Sequence, residues 1–332
     1  MPAFEIPTAT SPVNHNGHMT EVPASNQHPG AFAAKWGRAR SLAYVTALYV
    51  VAIAVSLIVA APWGTDHPLT ALFVGFAVTV VVVYIGSQIV LNGSTFDPWW
   101  SVVPAAYAVW FAIVFENGIF EDGGGFTSGD HRRWIVAALT LLWGGRLTAN
   151  WTIGWPGLHH EDWRYRMLYD TLPLPRWAVS LLCVHVFPMV IVALGSIPLV
   201  GVATRQGVGL GIFDVLGIIA ALVAVGFEHF ADVELRRFNR TKKPGDTLTS
   251  GLWSRSRHPN YFGEIMFWWA LWLLALGADR ANWWMVIGPV AMTVMFVAAS
   301  IPMAENRSAE RRPDWESYKA STPMLIPRIR PR

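Results

Sequence analysis

The sequence predicts an all-α protein, a polytopic transmembrane helical bundle of about eight spans with both termini in the cytoplasm. Hydrophobic residues make up 53% of the 332 residues and charged residues only 14%, against roughly 25% in an average soluble chain. Eight long apolar segments follow one another, and Lys and Arg concentrate in alternate connections. The 18 Trp residues suit membrane–water interfaces. This composition disfavours a soluble enzyme, a disordered chain and a nucleic-acid-binding protein.

The chain divides into a tail and one membrane domain. Residues 1–34 are rich in Pro, Asn, Ser, Thr and His without periodicity, which predicts a flexible N-terminal tail. Residues 35–332 are predicted to form a single transmembrane domain. Each apolar segment is near the length that crosses about 30 Å of hydrocarbon and must be helical there, because lipid offers no water to backbone polar groups. The predicted spans are 41–62, 69–91, 99–115, 134–151, 177–203, 209–230, 261–277 and 283–303.

The distribution of basic residues predicts the orientation. With eight spans, 20 of the 25 Lys and Arg fall in segments that share one side, and four fall on the other side. Because Lys and Arg are enriched in cytoplasmic loops, this skew places both termini and the segments 152–176, 231–260 and 304–332 in the cytoplasm. The remaining basic residue, Arg146, lies inside a span.

Ionisable side chains inside predicted spans are functional candidates, since they are costly in hydrocarbon unless they face a cavity or a partner. Arg146, near the predicted cytoplasmic end of the fourth span, either binds a phosphate or reaches the interface or a salt bridge. His185 is alone in an apolar span, so a hydrogen bond to a neighbouring helix is favoured over chemistry. Glu228, Asp232 and Arg236 share one helix face, which suits a ligand with ribose hydroxyls and phosphates or forms a salt-bridge ladder.

The most informative stretch begins the seventh predicted span. Pro259 disfavours helix at His258 and is suited to the first helical position. Asn260 and Glu264 then lie four residues apart on the first turns, at a helix N-terminus that favours anions. Arg257 and His258 add cationic donors just before them. The combination predicts a phosphate-binding rim above an apolar cavity. The alternative is a run of basic residues that ends a span at the membrane interface, and it does not account for Asn260 and Glu264.

Two other cytoplasmic segments carry dense charge. Acids, Arg and aromatic residues alternate from Glu161 to Arg166, which indicates either an interfacial amphipathic turn or a catalytic carboxylate or phenol. The segment 304–332 either folds back under the cytoplasmic face and closes a ligand site or is a solvated tail. Cys183 is the single cysteine, so neither an intrachain disulfide nor a cysteine-cluster metal site is possible, and no metal is predicted.

These residues resemble the C-terminal region of the steroid 5-alpha-reductases and their bacterial relatives. The resemblance covers residues 228–327 and is carried by the run 251–264 with Lys243-Pro244-Gly245 before it, by Asp232 with Leu235, and by the segment from Tyr318 to Pro327. It extends to pieces that look like the uncharacterised bacterial branch: Asp97 through Ser101, Trp143 through Thr148, and Glu161 through Tyr165.

The resemblance implies an all-helical membrane fold that takes NADPH from the cytoplasm and reduces a carbon–carbon double bond conjugated to a ketone in a lipid. The implied cofactor contacts are Arg146, Asp232, Arg257, His258, Asn260, Glu264 and Tyr318. The neighbouring Arg236 and Tyr261 are predicted to contact the cofactor as well. The steroid enzymes carry an adjacent Gln-Glu pair on an early span, whereas here Gln88 is followed by Ile89, and they carry a Tyr near the position of Trp143. The polar end of the substrate pocket is therefore expected to differ. Its candidate proton donors are Asp97, Glu161 and Tyr165.

A second family shares part of the pattern. Isoprenylcysteine carboxyl methyltransferases resemble this chain in an Arg-His-Pro-x-Tyr run, here residues 257–261, and in a late Glu, here Glu305. That resemblance implies S-adenosylmethionine and methyl transfer. A third interpretation, a non-enzymatic lipid carrier or assembly partner, predicts no nucleotide binding. The leading prediction is an NADPH-dependent enone reductase of a bacterial inner (plasma) membrane, with its cofactor site on the cytoplasmic side. Its expected partners are a lipid-soluble substrate and membrane lipids, without nucleic acid.

Overall fold

The computed structural model describes residues 33–120, 128–205 and 208–329, and the regular structure in these ranges is helical. The predicted tail lies outside the described residues except for its last two, where a short 3-10 turn, Ala33–Lys35, begins. The helices are α1 Arg38–Ala60, α2 Pro68–Val90, α3 Trp99–Phe120, α4 Ser128–Gly154, α5 Trp163–Thr171, α6 Arg176–Ala203, α7 Ile212–Thr241, α8 Pro259–Ala278, α9 Arg280–Arg311 and α10 Trp315–Ser321.

Seven helices in the described part of the chain are long and apolar enough to cross a membrane: α1, α2, α3, α6, α7, α8 and α9. The remaining predicted span, the fourth at 134–151, forms most of α4, a helix of 27 residues and about 40 Å. Polar residues such as Arg132 and Arg146 make this helix less apolar than the others. Near the start of both helices Arg132 pairs with Asp214 of α7 at 2.6 Å, and near their ends Arg146 pairs with Asp232 at 2.9 Å. Helix α4 therefore runs beside α7 and completes an eighth passage through the bundle.

The segments predicted to share the cytoplasmic side meet at one end of the bundle. Arg38, at the start of α1, donates to the carbonyl of Trp155 after α4 at 3.0 Å. Arg257, just before α8, donates to the carbonyl of Thr322 after α10 at 2.6 Å. We call this end the basic end, and it comprises 92–98, 152–176, 231–260 and 304–329. The clustering matches an even number of passages, and the assignment of this end to the cytoplasm stays a prediction.

Helices α7 and α8 form an antiparallel pair with a close backbone approach at Gly263. A Cβ atom on Gly263 would lie 2.7 Å from the carbonyl oxygen of Ala224 and 3.0 Å from the backbone nitrogen of Glu228. Only glycine allows this separation without a shift of one helix. The contact brings Glu228 of α7 against the first turns of α8, where Asn260 and Glu264 lie.

Two of the membrane helices contain a π-helical turn followed two residues later by proline. In α6 the turn is Ser180–Val186 and the proline is Pro188, and in α9 the turn is Phe296–Ser300 and the proline is Pro302. Proline lacks an N–H group and its ring crowds the carbonyl four residues earlier, so the regular hydrogen-bond ladder is interrupted there. A local π turn accommodates the interruption without ending the helix.

His185 lies within the π turn of α6 and has structural partners. Its Nδ1 atom is 2.8 Å from the carbonyl oxygen of Ser180, and its Nε2 atom is 3.0 Å from the hydroxyl group of Ser87 on α2. The predicted hydrogen bond to a neighbouring helix is confirmed.

Candidate functional site

A cavity of about 440 Å³ lies inside the bundle on the side of the basic end. One part of its wall is polar and the rest is apolar. The polar lining residues are Asp97, Arg146, Arg164, Tyr165, Glu228, Asp232, Asn260, Tyr261, Glu264 and Ser300. The apolar wall comes mainly from α6 and α9, including Cys183, Phe187, Pro188, Met295, Phe296, Ala299 and Met303. We call this space the central cavity.

An arginine on α4 holds two acids of α7 at the cavity wall. Arg146 forms an ion pair with Glu228 and donates to Asp232 from Nη1 at 2.9 Å. Asn150, one turn further along α4, donates to the same oxygen of Asp232 at 3.0 Å. The Nδ2 atom of Asn260 lies 3.5 Å from the other oxygen. The predicted shared face of Glu228 and Asp232 thus points at α4, and the two acids are buried with their counter-charge.

Glu264 is fixed by two indole groups. Its Oε1 atom accepts from Nε1 of Trp268 at 3.1 Å, and its Oε2 atom accepts from Nε1 of Trp143 at 3.2 Å. Trp143 also stacks on Phe267, with 4.5 Å between the ring centroids. The tryptophan that replaces the expected tyrosine therefore serves as a hydrogen-bond donor that sets the position of the Glu264 carboxyl group.

A third polar cluster on the cavity wall, formed by Asp97, Arg164 and Tyr165, connects the loop before α3 to α5. The Tyr165 hydroxyl donates to Oδ1 of Asp97 at 2.6 Å. Burial, reinforced by the negative charge of Asp97, raises the pKa of Tyr165 well above its usual value. Arg164 binds Asp162 through Nε at 2.9 Å and Nη2 at 3.2 Å. Burial alone would raise the pKa of Asp162, but the charge and hydrogen bonds of Arg164 outweigh it and lower the pKa. Tyr165 is therefore protonated at neutral pH beside a fixed cation.

Two of the sequence candidates, Glu161 and Arg236, line neither this cavity nor the second pocket described below. The buried carboxylate of Glu161 accepts from the backbone of Gly93 at 2.7 Å and from Arg176 at 2.7 Å, so it ties two connections to the start of α6. Arg236 donates to the side-chain oxygen of Asn150 and supports the α4–α7 contact from outside the cavity.

A second pocket of about 130 Å³ lies beside the central cavity at the basic end. Asn260 and Tyr261 line both spaces, so the start of α8 forms their common boundary. The other lining residues are mostly cationic or aromatic: Trp163, Trp253, Arg257, His258, Arg307, Arg311, Arg312, Trp315 and Tyr318. Arg307 stacks over the ring of Trp163, with its guanidinium carbon 4.2 Å from the ring centroid. We call this space the outer pocket.

The C-terminal segment closes one side of the outer pocket. Arg257 donates to the carbonyls of Lys319 at 3.0 Å and Thr322 at 2.6 Å, and to the carboxylate of Glu305 at 2.8 Å. The Tyr318 hydroxyl donates to the carbonyl of Trp253 at 2.5 Å. The sequence left open whether this segment folds back or is a solvated tail, and in the structure it folds back onto the basic end.

His258 stacks in parallel on Tyr261 and contacts the same Glu305 oxygen at 3.3 Å. Burial lowers the pKa of His258, and the hydrogen bond and charge of Glu305 oppose this shift only in part. At neutral pH the imidazole is therefore uncharged, although the sequence suggests a cationic donor here.

Sequence reasoning missed three contributors to the site. Arg164 lines the cavity. The sequence feature that could have identified it is its position next to Tyr165 in the charged connection. Asn150 could have been identified by its spacing of one helical turn from Arg146, which puts both side chains on the same face of α4. Phe187 and the other apolar wall residues carry no signal, since nothing in an apolar span shows which side faces a cavity.

Comparisons with known proteins identify a family and name no activity. Residues 83–322 match the DUF1295 family, described as a protein of unknown function. A protein of Schizosaccharomyces pombe that is described as uncharacterized is 24% identical over 263 residues, covering 72% of this chain and 73% of that protein. No solved structure matches the chain. The matched range contains every residue that lines the two spaces. Because the family match spans more than half of the chain, this chain belongs to the DUF1295 family of proteins of unknown function.

Proposed function

We propose that this protein is a membrane-embedded, NADPH-dependent reductase of a carbon–carbon double bond conjugated to a carbonyl in a lipid-soluble substrate. The observation that carries the proposal is the shared boundary at Asn260 and Tyr261 between the cationic outer pocket and the acid-containing central cavity. One elongated ligand lying across that boundary would meet opposite chemistry at its two ends. The resemblance of residues 228–327 to the steroid 5-alpha-reductases also supports the proposal.

The residues that line the two spaces fit NADPH, which is a dinucleotide. Arginines and aromatic rings of the outer pocket match phosphates and an adenine ring, through charge and stacking. At the cavity, Oε1 of Glu228 and Nε of Arg146 have no hydrogen-bond partner among the described residues. Buried polar atoms of native proteins are rarely left in that state, which favours a ligand with both donors and acceptors at this position.

The cavity also suits the lipid partner and the proton transfer. Bound NADPH supplies the hydride. The apolar walls of α6 and α9 exclude water from the alkene, which strengthens every polar interaction in the site. The Tyr165 hydroxyl is the candidate donor to the carbonyl oxygen as that oxygen gains negative charge. Its hydrogen would turn from Asp97 to the carbonyl oxygen, and Asp97, whose pKa is raised by burial to about 7, would in its protonated form donate to the Tyr165 oxygen. Arg164 lies at the same wall and stabilises that charge.

The proposal is tested by titrating the purified protein in detergent with NADPH and measuring energy transfer from tryptophan to the nicotinamide. We expect saturable binding that weakens about tenfold or more in Asn260→Ala and Glu264→Gln, corresponding to about 1.4 kcal/mol or more. Asn306→Ala is the matched control, because Asn306 is exposed on α9 outside both spaces and its loss leaves binding unchanged. Absence of saturable binding, or equal binding by all the variants, contradicts the proposal.

Methyl transfer is the second candidate, favoured by one specific contact. Arg257 and His258 both bind Glu305, so the Arg-His-Pro-x-Tyr run and the late Glu of the methyltransferase resemblance form one cluster. Titration of the same preparation with S-adenosylmethionine separates the two candidates. Saturable binding of that ligand without binding of NADPH selects the methyltransferase.

A further inference from the structure

Helices α6 and α9 cross in backbone contact at one level of the bundle. A Cβ atom on Gly288 of α9 would lie 2.4 Å from the carbonyl oxygen of Leu194 and 3.1 Å from the Cα atom of Gly195, both on α6. Towards the basic end the two helices separate, and the central cavity lies between Cys183 and Phe187 on one side and the wall residues of α9 on the other. The pair forms a V with its closed point at Gly195 and Gly288.

Both arms of the V carry their π turn at the open end. Ser180–Val186 and Phe296–Ser300 flank the cavity, and each precedes a proline that has removed a backbone hydrogen bond. Sharp helix kinks occur at prolines and at π turns, and π turns are frequent at functional sites. The irregular backbone of the cavity wall therefore lies in these two arms.

At Phe187 the wall of the cavity is also part of the exposed surface of the protein. Phe187 lines the cavity and is also 50% exposed. Val190, further along α6, is 43% exposed, and Val297, next to the lining residue Phe296 on α9, is 37% exposed. These side chains are apolar, as expected of a surface in contact with hydrocarbon. The other approach, through the outer pocket, is lined by arginines and is unfavourable for an apolar molecule.

We propose that the lipid-soluble substrate enters and leaves the central cavity sideways from the bilayer, between α6 and α9, with the Phe187 side chain at the mouth of the opening. The inference rests on the proposed function only in assuming a substrate dissolved in the membrane. It assigns the two approaches to different molecules. The cofactor uses the cationic outer pocket, and the substrate uses the apolar cleft.

The native cysteine makes the opening measurable. Cys183 is the only cysteine of the chain and lines the cavity one turn from Phe187. The full chain in phospholipid nanodiscs is treated with pyrene maleimide, which dissolves in the bilayer, or with a sulfonated maleimide, which stays in water. Each labelling rate is divided by the rate of the same reagent on the unfolded chain. We expect the normalised rate of pyrene maleimide to exceed that of the sulfonated reagent about tenfold or more.

Substitutions at the mouth test the route. Phe187→Trp is expected to slow labelling by pyrene maleimide about tenfold, the effect of about 1.4 kcal/mol added to the entry barrier, and Phe187→Ala to accelerate it. Val190→Ala is the matched control, since Val190 is similarly exposed on the same helix but does not line the cavity. Cys183→Ser identifies any labelling at the N-terminus or at lysines.

Three results overturn the inference: equal normalised rates for the two reagents, no labelling of the folded chain by either, or rates that are the same in the wild type and both Phe187 variants. Folding of each variant is checked by its thermal unfolding. Labelling requires neither cofactor nor turnover. Failure of NADPH binding would therefore reject the proposed reductase and leave the lateral opening standing, and the reverse holds as well.

Discussion

Two sets of buried charges join α4 to α7, which is distant from it along the chain. Arg146 of α4 binds Glu228 and Asp232 of α7, and Arg132 at the other end of α4 binds Asp214 through two hydrogen bonds at 2.6 and 2.9 Å. Removing one partner from such a set leaves an uncompensated charge inside the bundle, which is far more costly than replacing the whole set by apolar groups. Single charge-removing substitutions at these positions therefore report on folding as well as on the site.

His258 gives a prediction with a defined direction in pH. Its pKa is lowered by burial in the folded chain, so as the pH falls the unfolded chain binds a proton first. Stability must then decrease as the pH falls below about 6.5 and continue to decrease until the folded pKa is reached. We expect the thermal unfolding temperature in detergent to fall between about pH 7.5 and about pH 5.5, and to fall less in His258→Gln.

The matched control for this measurement is His159→Gln. His159 is exposed at the basic end, close to the same elements. Its substitution should leave the pH dependence of unfolding as in the wild type. Equal pH dependence in His258→Gln and the wild type would show that His258 is not buried as the structure has it.

At the scale of helices, the α7–α8 pair is the element on which the candidate site depends. Glu228 and Asp232 face Asn260 and Glu264 because the two backbones touch at Gly263. We expect Gly263→Ala to destabilise the protein by about 1–3 kcal/mol, the usual cost of an added group in a filled core, and to weaken NADPH binding as the helices move apart. Thermal unfolding and the energy-transfer titration measure the two effects.

Gly226→Ala serves as the control on α7. A Cβ atom on Gly226 meets no atom within 4 Å, so this change should be neutral or stabilising by about 0.5–1 kcal/mol through helix propensity. If both alanine variants behave alike, the close contact at Gly263 does not hold the two helices in register.

Sequence patterns predicted the helices well and the details of their walls poorly. Hydropathy located the membrane helices because each needs a long apolar run, and Pro259 marked the start of α8 correctly. Ionisable residues in apolar spans pointed to Arg146, Glu228 and Glu264, because such residues are rare in hydrocarbon without a purpose. The same logic could not separate Glu161, which is tied to Gly93 and Arg176, from Asp97 and Tyr165, which line the cavity. The choice depends on long-range contacts that spacing does not encode.

At the scale of the whole molecule, the orientation in the membrane is open to direct measurement. The 20 to 4 distribution of Lys and Arg predicts that the basic end faces the cytoplasm. In a bacterial host, alkaline phosphatase fused at the C-terminus should be inactive and a fluorescent protein fused there should fluoresce. Phosphatase fused within the α1–α2 connection, residues 64–67, should be active. Active phosphatase at the C-terminus would invert the topology and place the outer pocket on the wrong side for a cytoplasmic cofactor.

The two approaches to the central cavity differ in polarity, and this difference has a kinetic consequence. Under the proposed function, one reactant arrives from water in three dimensions and the other from a two-dimensional fluid. The rate must then follow the mole fraction of substrate within the bilayer. Diluting the membrane with inert phospholipid at constant total substrate should lower the turnover rate, while diluting the whole suspension with buffer should not, as long as the aqueous cofactor is kept saturating.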